Sequence, residues 1–131
     1  MAALSDVSEK LLLDFLMTNS TATRPTSRHV ALYTSAPSDS GGGTEVSGAG
    51  YARQPVTFAD ATSPGGTTSN SNAPSFTASG GAYGTVTHIG IHSASSGAGN
   101  LLWHGALTAS KTIADGDTLE FSIGNIDLTL A

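Results

Sequence analysis

Two runs of alternating apolar and polar residues most constrain what this chain can fold into. They occupy residues 85–92 and 101–107, and a connector rich in Ser, Gly and Asn joins them at residues 93–100. Strict alternation is typical of half-buried strands, and a turn-rich connector between two such runs predicts a β-hairpin. The single tryptophan of the chain, Trp103, lies in the second run. Because a tryptophan ring buries a large apolar area, we expect this hairpin to form the centre of the core.

Alternation also assigns the side chains of the hairpin to faces. In the first run Ile89 and Ile91 share one face, and Val86 belongs to the opposite face. In the second run Leu101 and Leu107 share a face with the tryptophan. These assignments follow from the two-residue period of a strand.

The remainder of the chain after residue 28 consists of short alternating runs separated by turn-forming residues. We count about eight strands at the regular spacing that is typical of a sandwich or barrel. Pro55 cannot donate a ladder hydrogen bond, which predicts an edge or bulged position for its strand. Near the C-terminus the spacing of Leu119, Phe121 and Ile123 places these three side chains on one face. The sequence therefore predicts an all-β, jelly-roll-like antiparallel β-sandwich over residues 21–131.

Residues 5–18 form the one helix that the pattern predicts. Asp6 and Glu9 have the spacing of a capping box, with Asp in place of the usual hydroxyl residue. The polar stripe continues through Lys10 and Asp14, whose spacing suits an i,i+4 ion pair. The rest of the circumference is apolar, which is more than a helix with one face in water requires. This amphipathic helix must therefore pack on the sheet, on a sister subunit or on a partner.

The N-terminal helical segment, residues 1–20, fits neither a membrane span nor a secretion signal. Asp14 interrupts its apolar run, which is far shorter than the roughly 20 residues that span a bilayer. We find no basic n-region and no small-residue cleavage site in it. We therefore expect no membrane partner.

Charge and cysteine content exclude several further classes of function. The chain carries five Lys and Arg residues and a net charge of −5, which argues against electrostatic capture of nucleic acid. It has no cysteine, so it forms no disulfide and no thiolate metal site, which fits a reducing compartment of assembly. Its charged fraction of 11% is well below the usual value of about a quarter. Such a surface favours close subunit contacts, because little charge must be desolvated.

Residues that could carry chemistry have simpler structural interpretations. His88 and His92 are four apart on one strand, so their Cα atoms lie about 13 Å apart and cannot share a metal ion. His104 could approach one of them, but two histidines without a suitable carboxylate make a poor site. Asp115 and Asp117 have the pattern of a tight turn, although paired carboxylates can also serve glycoside hydrolysis or calcium binding. We expect no catalytic residue, no metal and no cofactor.

Aromatic side chains offer one further binding hypothesis. Trp103, Tyr51 and Tyr83 could line a sugar-binding surface, as aromatic rings do in adhesins. We favour the alternative, in which the tryptophan belongs to the inter-sheet core, because it shares a face with two leucines.

Several motifs, in their order along the chain, resemble a family of small tailed-bacteriophage proteins. They are VALYTSAPSDSGGGTEVSGAGYARQPVTF at residues 30–58, then GTVTHIGIHSA, NLLWHGALTASKT and GDTLEFSIGNIDLTL. Members of this family are described as tail-fibre-like or minor virion structural proteins, and the likeness covers residues 28–131. In style the small sandwich is also similar to capsid decoration, or cement, proteins. The resemblance implies a non-enzymatic virion protein that is assembled in the cytoplasm of the host bacterium.

Our functional prediction follows from this resemblance and from the apolar helix. We expect a capsid decoration (cement) subunit that stabilises the phage head through contacts with the major capsid protein and with copies of itself. The alternative is a tail-fibre or minor tail protein that contacts other tail proteins and recognises a host glycan or receptor. A cell-wall hydrolase is a third interpretation, which would require activity from Asp115 or Asp117.

Partner contacts are predicted at the helix and at the glycine-rich loop. The predicted residues are Leu11, Leu12, Phe15, Leu16, Gly42, Gly43, Thr44, Glu45 and Val46. A structural role for the loop competes with partner contact. In that role glycines with positive φ turn the chain back, and the polar groups of Tyr51, Arg53 and Gln54 hold the loop by hydrogen bonds.

Overall fold

The computed structural model describes residues 3–62, 64–97 and 100–130. One helix and ten strands lie within these ranges. In chain order they are β1 (Ala3–Leu4), α1 (Asp6–Met17), β2 (His29–Ser35), β3 (Thr44–Glu45), β4 (Gln54–Pro55), β5 (Thr67–Ser69), β6 (Ser75–Thr77), β7 (Gly84–His92), β8 (Leu101–Ile113), β9 (Thr118–Glu120) and β10 (Asp127–Thr129). The predicted all-β class with a single N-terminal helix is confirmed.

A six-stranded antiparallel sheet forms one layer of the fold. Its order is β1–β8–β7–β2–β3, and β4 also pairs with β2. The predicted hairpin is confirmed, because β7 and β8 pair antiparallel from Gly84 with Ile113 to His92 with Leu101. Pro55 lies in the two-residue strand β4 at the margin of this sheet, as its missing N–H group predicts.

The core lies between this sheet and two separate two-stranded ladders, β5–β10 and β6–β9. Side chains from both layers meet in one buried apolar cluster. Its members include Val30, Leu32, Val86, Ile91, Phe76, Phe121, Ile126 and Leu128. Two facing layers with a shared core form the predicted sandwich, whereas the jelly-roll connectivity stays a prediction.

An irregularity in the β7–β8 pairing changes the predicted face of Val86. Between the pair Val86–Lys111 and the pair His88–Ala106, β7 advances by two residues and β8 by five. Bulges of this kind re-aim neighbouring side chains. Val86 therefore joins the core together with Ile91, and the prediction that these two lie on opposite faces was wrong.

Helix α1 is capped one residue earlier than the sequence predicts. The Ser5 side chain accepts a hydrogen bond from the Ser8 backbone N–H at 3.3 Å, so Ser5 is the N-cap. The predicted capping box of Asp6 and Glu9 was wrong, because Asp6 is already the first helical residue. The Ser8 hydroxyl donates to the Leu102 carbonyl at 2.8 Å and thereby ties the helix to β8.

A strand that the sequence analysis missed precedes the helix. In β1, Ala3 pairs with His104 and Leu4 pairs with Trp103. The strand lies inside the segment predicted as helical, and the division of the chain at residue 20 stays a prediction. Within the described ranges, no helix has both the length and the apolar character needed to cross a membrane.

The chain after β9 departs from the predicted pattern at one position. Leu119 and Phe121 pack with the core, but Ile123 is 67% exposed. A turn follows β9, in which the Asn125 N–H group donates to the Ser122 carbonyl at 3.0 Å. Because Ile123 lies in this turn and not in the strand, its predicted place on the buried face was wrong.

Candidate functional site

Helix α1 presents an apolar face to solvent. Leu13, Phe15, Leu16 and Met17 are each 61% to 76% exposed. Residues three or four apart on a helix are neighbours, so Leu13 lies beside Leu16 and Met17. We call these four residues the α1 apolar face. Phe15 lies about 160° around the helix axis from Leu13, in the row of Leu11, so the four side chains surround the C-terminal end of α1. Exposed apolar side chains clustered in this way mark contact sites.

The first two turns of α1 contact the rest of the protein. Leu11 and Leu12 are half-buried and line a groove of about 260 Å³ together with Leu102 and Leu128. Of the four predicted contact residues on the helix, these two pack toward the fold, while Phe15 and Leu16 project into solvent. The predicted i,i+4 pair also forms, between Lys10 and Asp14.

The glycine-rich loop places its predicted contact residues in different environments. Gly42, Gly43 and Thr44 are exposed, Glu45 is half-buried, and Val46 belongs to the core. The side chain of Val46 therefore serves packing inside the fold. Residues 41–43 all have positive φ values of 104°, 81° and 72°, as the structural interpretation of the loop predicts.

A half-buried polar cluster holds this loop in place. Arg53 Nε donates to Glu45 Oε2 and Arg53 Nη2 donates to Glu45 Oε1, each at 2.9 Å. The Tyr51 hydroxyl donates to the same carboxylate at 2.7 Å and accepts a hydrogen bond from the Leu32 N–H at 3.0 Å. The prediction that polar groups fix the loop by hydrogen bonds is confirmed for Tyr51 and Arg53, whereas the Gln54 amide donates to the nearby Ala52 carbonyl at 3.1 Å.

The Arg53 guanidinium also reaches the connector of the β7–β8 hairpin. It donates to the carbonyls of Ala94 at 3.1 Å and Gly97 at 3.3 Å. One side chain thus joins the glycine-rich loop to the central hairpin. Bidentate pairing with a carboxylate is geometrically specific to arginine.

The charges of this cluster are fixed at neutral pH. Burial alone would raise the pKa of Glu45, but hydrogen bonds from Arg53 and Tyr51 outweigh it, so its pKa lies below the ordinary value. Burial and the hydrogen bond to Glu45 raise the pKa of Tyr51. The hydrogen bond to Glu45 likewise raises the pKa of Arg53. The carboxylate therefore stays ionised and the phenol stays protonated, which suits a structural role.

The histidines weighed as metal ligands each form a separate hydrogen bond. The contacts are His92 Nε2 with Tyr33 Oη at 2.7 Å, His104 Nε2 with Asp39 Oδ1 at 2.7 Å, and His88 Nδ1 with Thr87 Oγ1 at 2.8 Å. Among the described residues, no group of three or more His, Cys, Asp or Glu side chains is arranged to hold a metal ion.

The acidic pair near the C-terminus forms a turn, as predicted. Asp117 Oδ2 accepts a hydrogen bond from the Ala114 N–H at 3.0 Å, and the Asp117 N–H donates to the Ala114 carbonyl at 3.0 Å. Asp115 Oδ1 accepts from the Gly80 N–H at 3.1 Å. Both carboxylates therefore bond to backbone groups.

The three aromatics weighed for a sugar-binding surface do not converge on one. Tyr51 stacks on Phe76 with ring centroids 6.1 Å apart, and Tyr83 meets Tyr51 edge to face at 5.7 Å. Trp103 is half-buried and packs against the same core. The inter-sheet interpretation of the tryptophan is confirmed.

One residue with a large structural role escaped the sequence analysis. Asn70 is fully buried, and its Oδ1 accepts a hydrogen bond from the Ile126 N–H at 2.8 Å. Its Nδ2 donates to the carbonyls of Asn72 at 2.7 Å and Ser122 at 3.0 Å. The segment around it is uniformly rich in Ser, Thr and Asn, so nothing in the sequence distinguishes this asparagine from its neighbours.

Comparison with known families decides where the chain belongs. The model of the family described as "Podophage GP4 fiber I protein gp80" matches residues 3–129, nearly the whole chain. The chain belongs to this family. A search of curated proteins finds no match. Membership of the gp80 fibre family confirms the predicted resemblance to tail-fibre-like minor virion proteins.

The gp80 family fixes the coarse class of function. A phage fibre family supports a virion structural protein and favours a non-enzymatic role. The exposed helix face, the turn-forming acids and the individually hydrogen-bonded histidines are compatible with that class.

Proposed function

We propose that this protein is a non-enzymatic fibre subunit of a podophage virion, held in the particle through its α1 apolar face. The family match supports the fibre assignment. We infer the attachment from the exposure of the α1 apolar face, because no contact within the described structure shields these side chains from water.

The α1 apolar face is too small to bind a partner stably without further contacts. Full burial of a Leu, Phe or Met side chain contributes about 1.5–3 kcal/mol. Covering the four residues of the face therefore contributes on the order of 5 kcal/mol, since part of each side chain is already buried. Micromolar affinity corresponds to about 8 kcal/mol, and association has its own entropic cost. The face would therefore act together with further contacts, such as the exposed loop residues Gly42 and Thr44 or a second copy of the chain.

A capsid decoration subunit is the second candidate. It is favoured by the fold itself, a small sandwich with neither the repeats nor the stalk pattern of an elongated fibre. In that role the partner would be the major capsid protein, and the contacts would resist internal pressure on the head.

Copy number separates the two candidates. We would measure the molar ratio of this chain to the portal protein in purified particles by quantitative mass spectrometry. A handful of copies per particle is the result expected for a fibre subunit. Hundreds of copies would contradict the fibre assignment and support decoration of the head.

Replacement of exposed apolar residues tests the attachment surface. The double variant Phe15→Ser, Leu16→Ser removes half of the α1 apolar face, and we expect it to be lost from particles at least about tenfold. The matched control is Ile123→Ser, which removes an equally exposed apolar side chain from a turn. Equal incorporation of the helix variant and the control would contradict the proposed attachment.

A further inference from the structure

The outer edge of β8 is unpaired over most of its length in the described structure. On the side away from β7, only Trp103 and His104 pair with a strand, the two-residue β1. Among the described residues, no strand pairs with that side of β8 beyond His104. Unpaired strand edges present backbone N–H and C=O groups with which another chain can pair.

An open groove of about 730 Å³ runs along this edge. Residues 103–109 and Lys111 of β8 form one wall, and residues 119–121 and 125–128, around β9 and β10, form the other. Apolar side chains line it, among them Ile89, Ile91, Trp103, Leu107, Phe121 and Leu128. We call it the β8 groove. A free strand edge beside an apolar cleft is the arrangement that accepts an added strand, with main-chain hydrogen bonds for affinity and alternate side chains in the cleft.

We propose that the β8 groove binds an extended segment of another virion protein, which pairs with β8 as a further strand. Every second side chain of that segment is apolar and enters the space between the two layers. The contact is separate from the α1 apolar face and goes beyond the proposed attachment, so either one can fail without the other.

The charges on the rim define the segment further. Glu120 and Asp127 are exposed on one wall of the groove, and Lys111 is exposed on the other wall. Among the described residues, no hydrogen bond or ion pair engages their carboxylates. Electrostatic complementarity favours a segment with Lys or Arg beside these two carboxylates, and it favours an acidic side chain only beside Lys111.

The register identifies which backbone groups of β8 are available. The Ser5 N–H donates to the Leu102 carbonyl at 3.0 Å, so Leu102 directs its backbone groups away from β7. Successive residues of a strand address opposite edges, and therefore His104 and Ala106 direct their backbone groups the same way as Leu102. Ala106 is exposed and lies beyond the end of β1. Among the described residues no strand pairs with Ala106 on the side away from β7, so its N–H group is one that an incoming strand would bind.

The intrinsic fluorescence of Trp103 offers a direct test, because it is the only tryptophan in the chain and lines the groove. The probe is an acetylated nonapeptide of alternating valine and threonine that ends in two lysines. We expect a saturable change in emission when the full-length protein is titrated with it. No saturable change would overturn the proposal.

Backbone methylation of the probe separates strand pairing from simple apolar contact. Two further peptides carry N-methyl groups, one on every valine and the other on every threonine. Only alternate N–H groups of an added strand face β8, so we expect one of the two to bind at least about tenfold more weakly while the other binds normally. Unchanged binding of both, or the same weakening of both, would overturn strand pairing.

Variants of the protein complete the test. Ala106→Pro should weaken binding about tenfold by removing an outward N–H group, and the methylated peptides keep the test decisive even where that variant misfolds. Glu120→Lys with Asp127→Lys should weaken binding of the basic probe, whereas Asp60→Lys, an exposed acid outside the groove, should not. Dimerisation of the protein that the probe reverses, seen by sedimentation velocity, would overturn the proposal in favour of a second copy at the edge.

Discussion

Replacement of Arg53 by methionine should destabilise the protein by about 3 kcal/mol. The Arg53 side chain is only 7% exposed and donates two hydrogen bonds to Glu45 and one each to the Ala94 and Gly97 carbonyls. Methionine keeps most of the apolar length and removes all of these donors. Loss of one partner of a buried ion pair costs about 3–5 kcal/mol. We take the lower end because the Glu45 side chain is 26% exposed and water can partly solvate it.

Urea denaturation at neutral pH, at constant m-value, measures this cost. The double variant Arg53→Met, Glu45→Leu should cost less than the two single variants added together, with a coupling of about 2 kcal/mol, because it leaves no unpaired carboxylate. Lys10→Met is the control, since it breaks an exposed helical pair and should cost below about 0.5 kcal/mol. An Arg53→Met cost no larger than that of the control, or strict additivity in the double variant, would refute this reasoning.

Three further predictions test other parts of the fold. Gly43→Ala should lower the urea midpoint clearly more than Gly42→Ala. An added Cβ at Gly43 would lie 2.7 Å from Pro37 N, whereas a Cβ at Gly42 meets open space and strains only the backbone, by about 1 kcal/mol. Equal midpoints of the two variants would contradict this prediction. Because the pKa of Glu45 is lowered in the fold, its stabilisation is fully present above the unfolded value of about 4.3 and is lost as the pH falls through the folded value. Glu45→Gln should therefore flatten the acid limb of a plot of melting temperature against pH, and an unchanged limb would argue against the cluster. Asn70→Ala should cost about 2–3 kcal/mol in the same urea assay, because it leaves buried backbone groups without partners, and a cost near zero would show that water replaces the amide.

Much of the fold was predictable because its signals are local. The β7–β8 hairpin can be predicted from consecutive residues, since alternation and a turn-rich connector are patterns that extend over a few positions. The turn at Asp115 and Asp117 and the positive φ values of residues 41–43 are equally local consequences of residue type. The pairing of Tyr51 and Arg53 with the glycine-rich loop was also anticipated, because polar groups at the start of a strand adjoin the preceding loop.

The features that escaped prediction depend on distant contacts. Strand β1 exists because β8 offers it an edge about one hundred residues away. Val86 changes face because of extra residues in β8, which its own neighbours in sequence do not reveal. The bonds of Asn70 reach residues more than fifty positions further along the chain.

The candidate contact surface was predictable in part. The excess of apolar residues on α1 indicated a contact, but which of them face the sheet depends on how the helix docks. Leu11 and Leu12 face the fold, and Phe15 and Leu16 face solvent. The β8 groove could not have been predicted from the sequence. It forms where β8 extends beyond its short partner β1 and lies beside β9 and β10 of the other layer.

A density map of the intact particle tests the central claim most directly, because it shows which surface of this protein touches its neighbours. We predict that Leu13, Phe15, Leu16 and Met17 of α1 are covered by another virion protein or by a sister copy. A map in which this face is surrounded by solvent in every copy of the subunit would contradict the account.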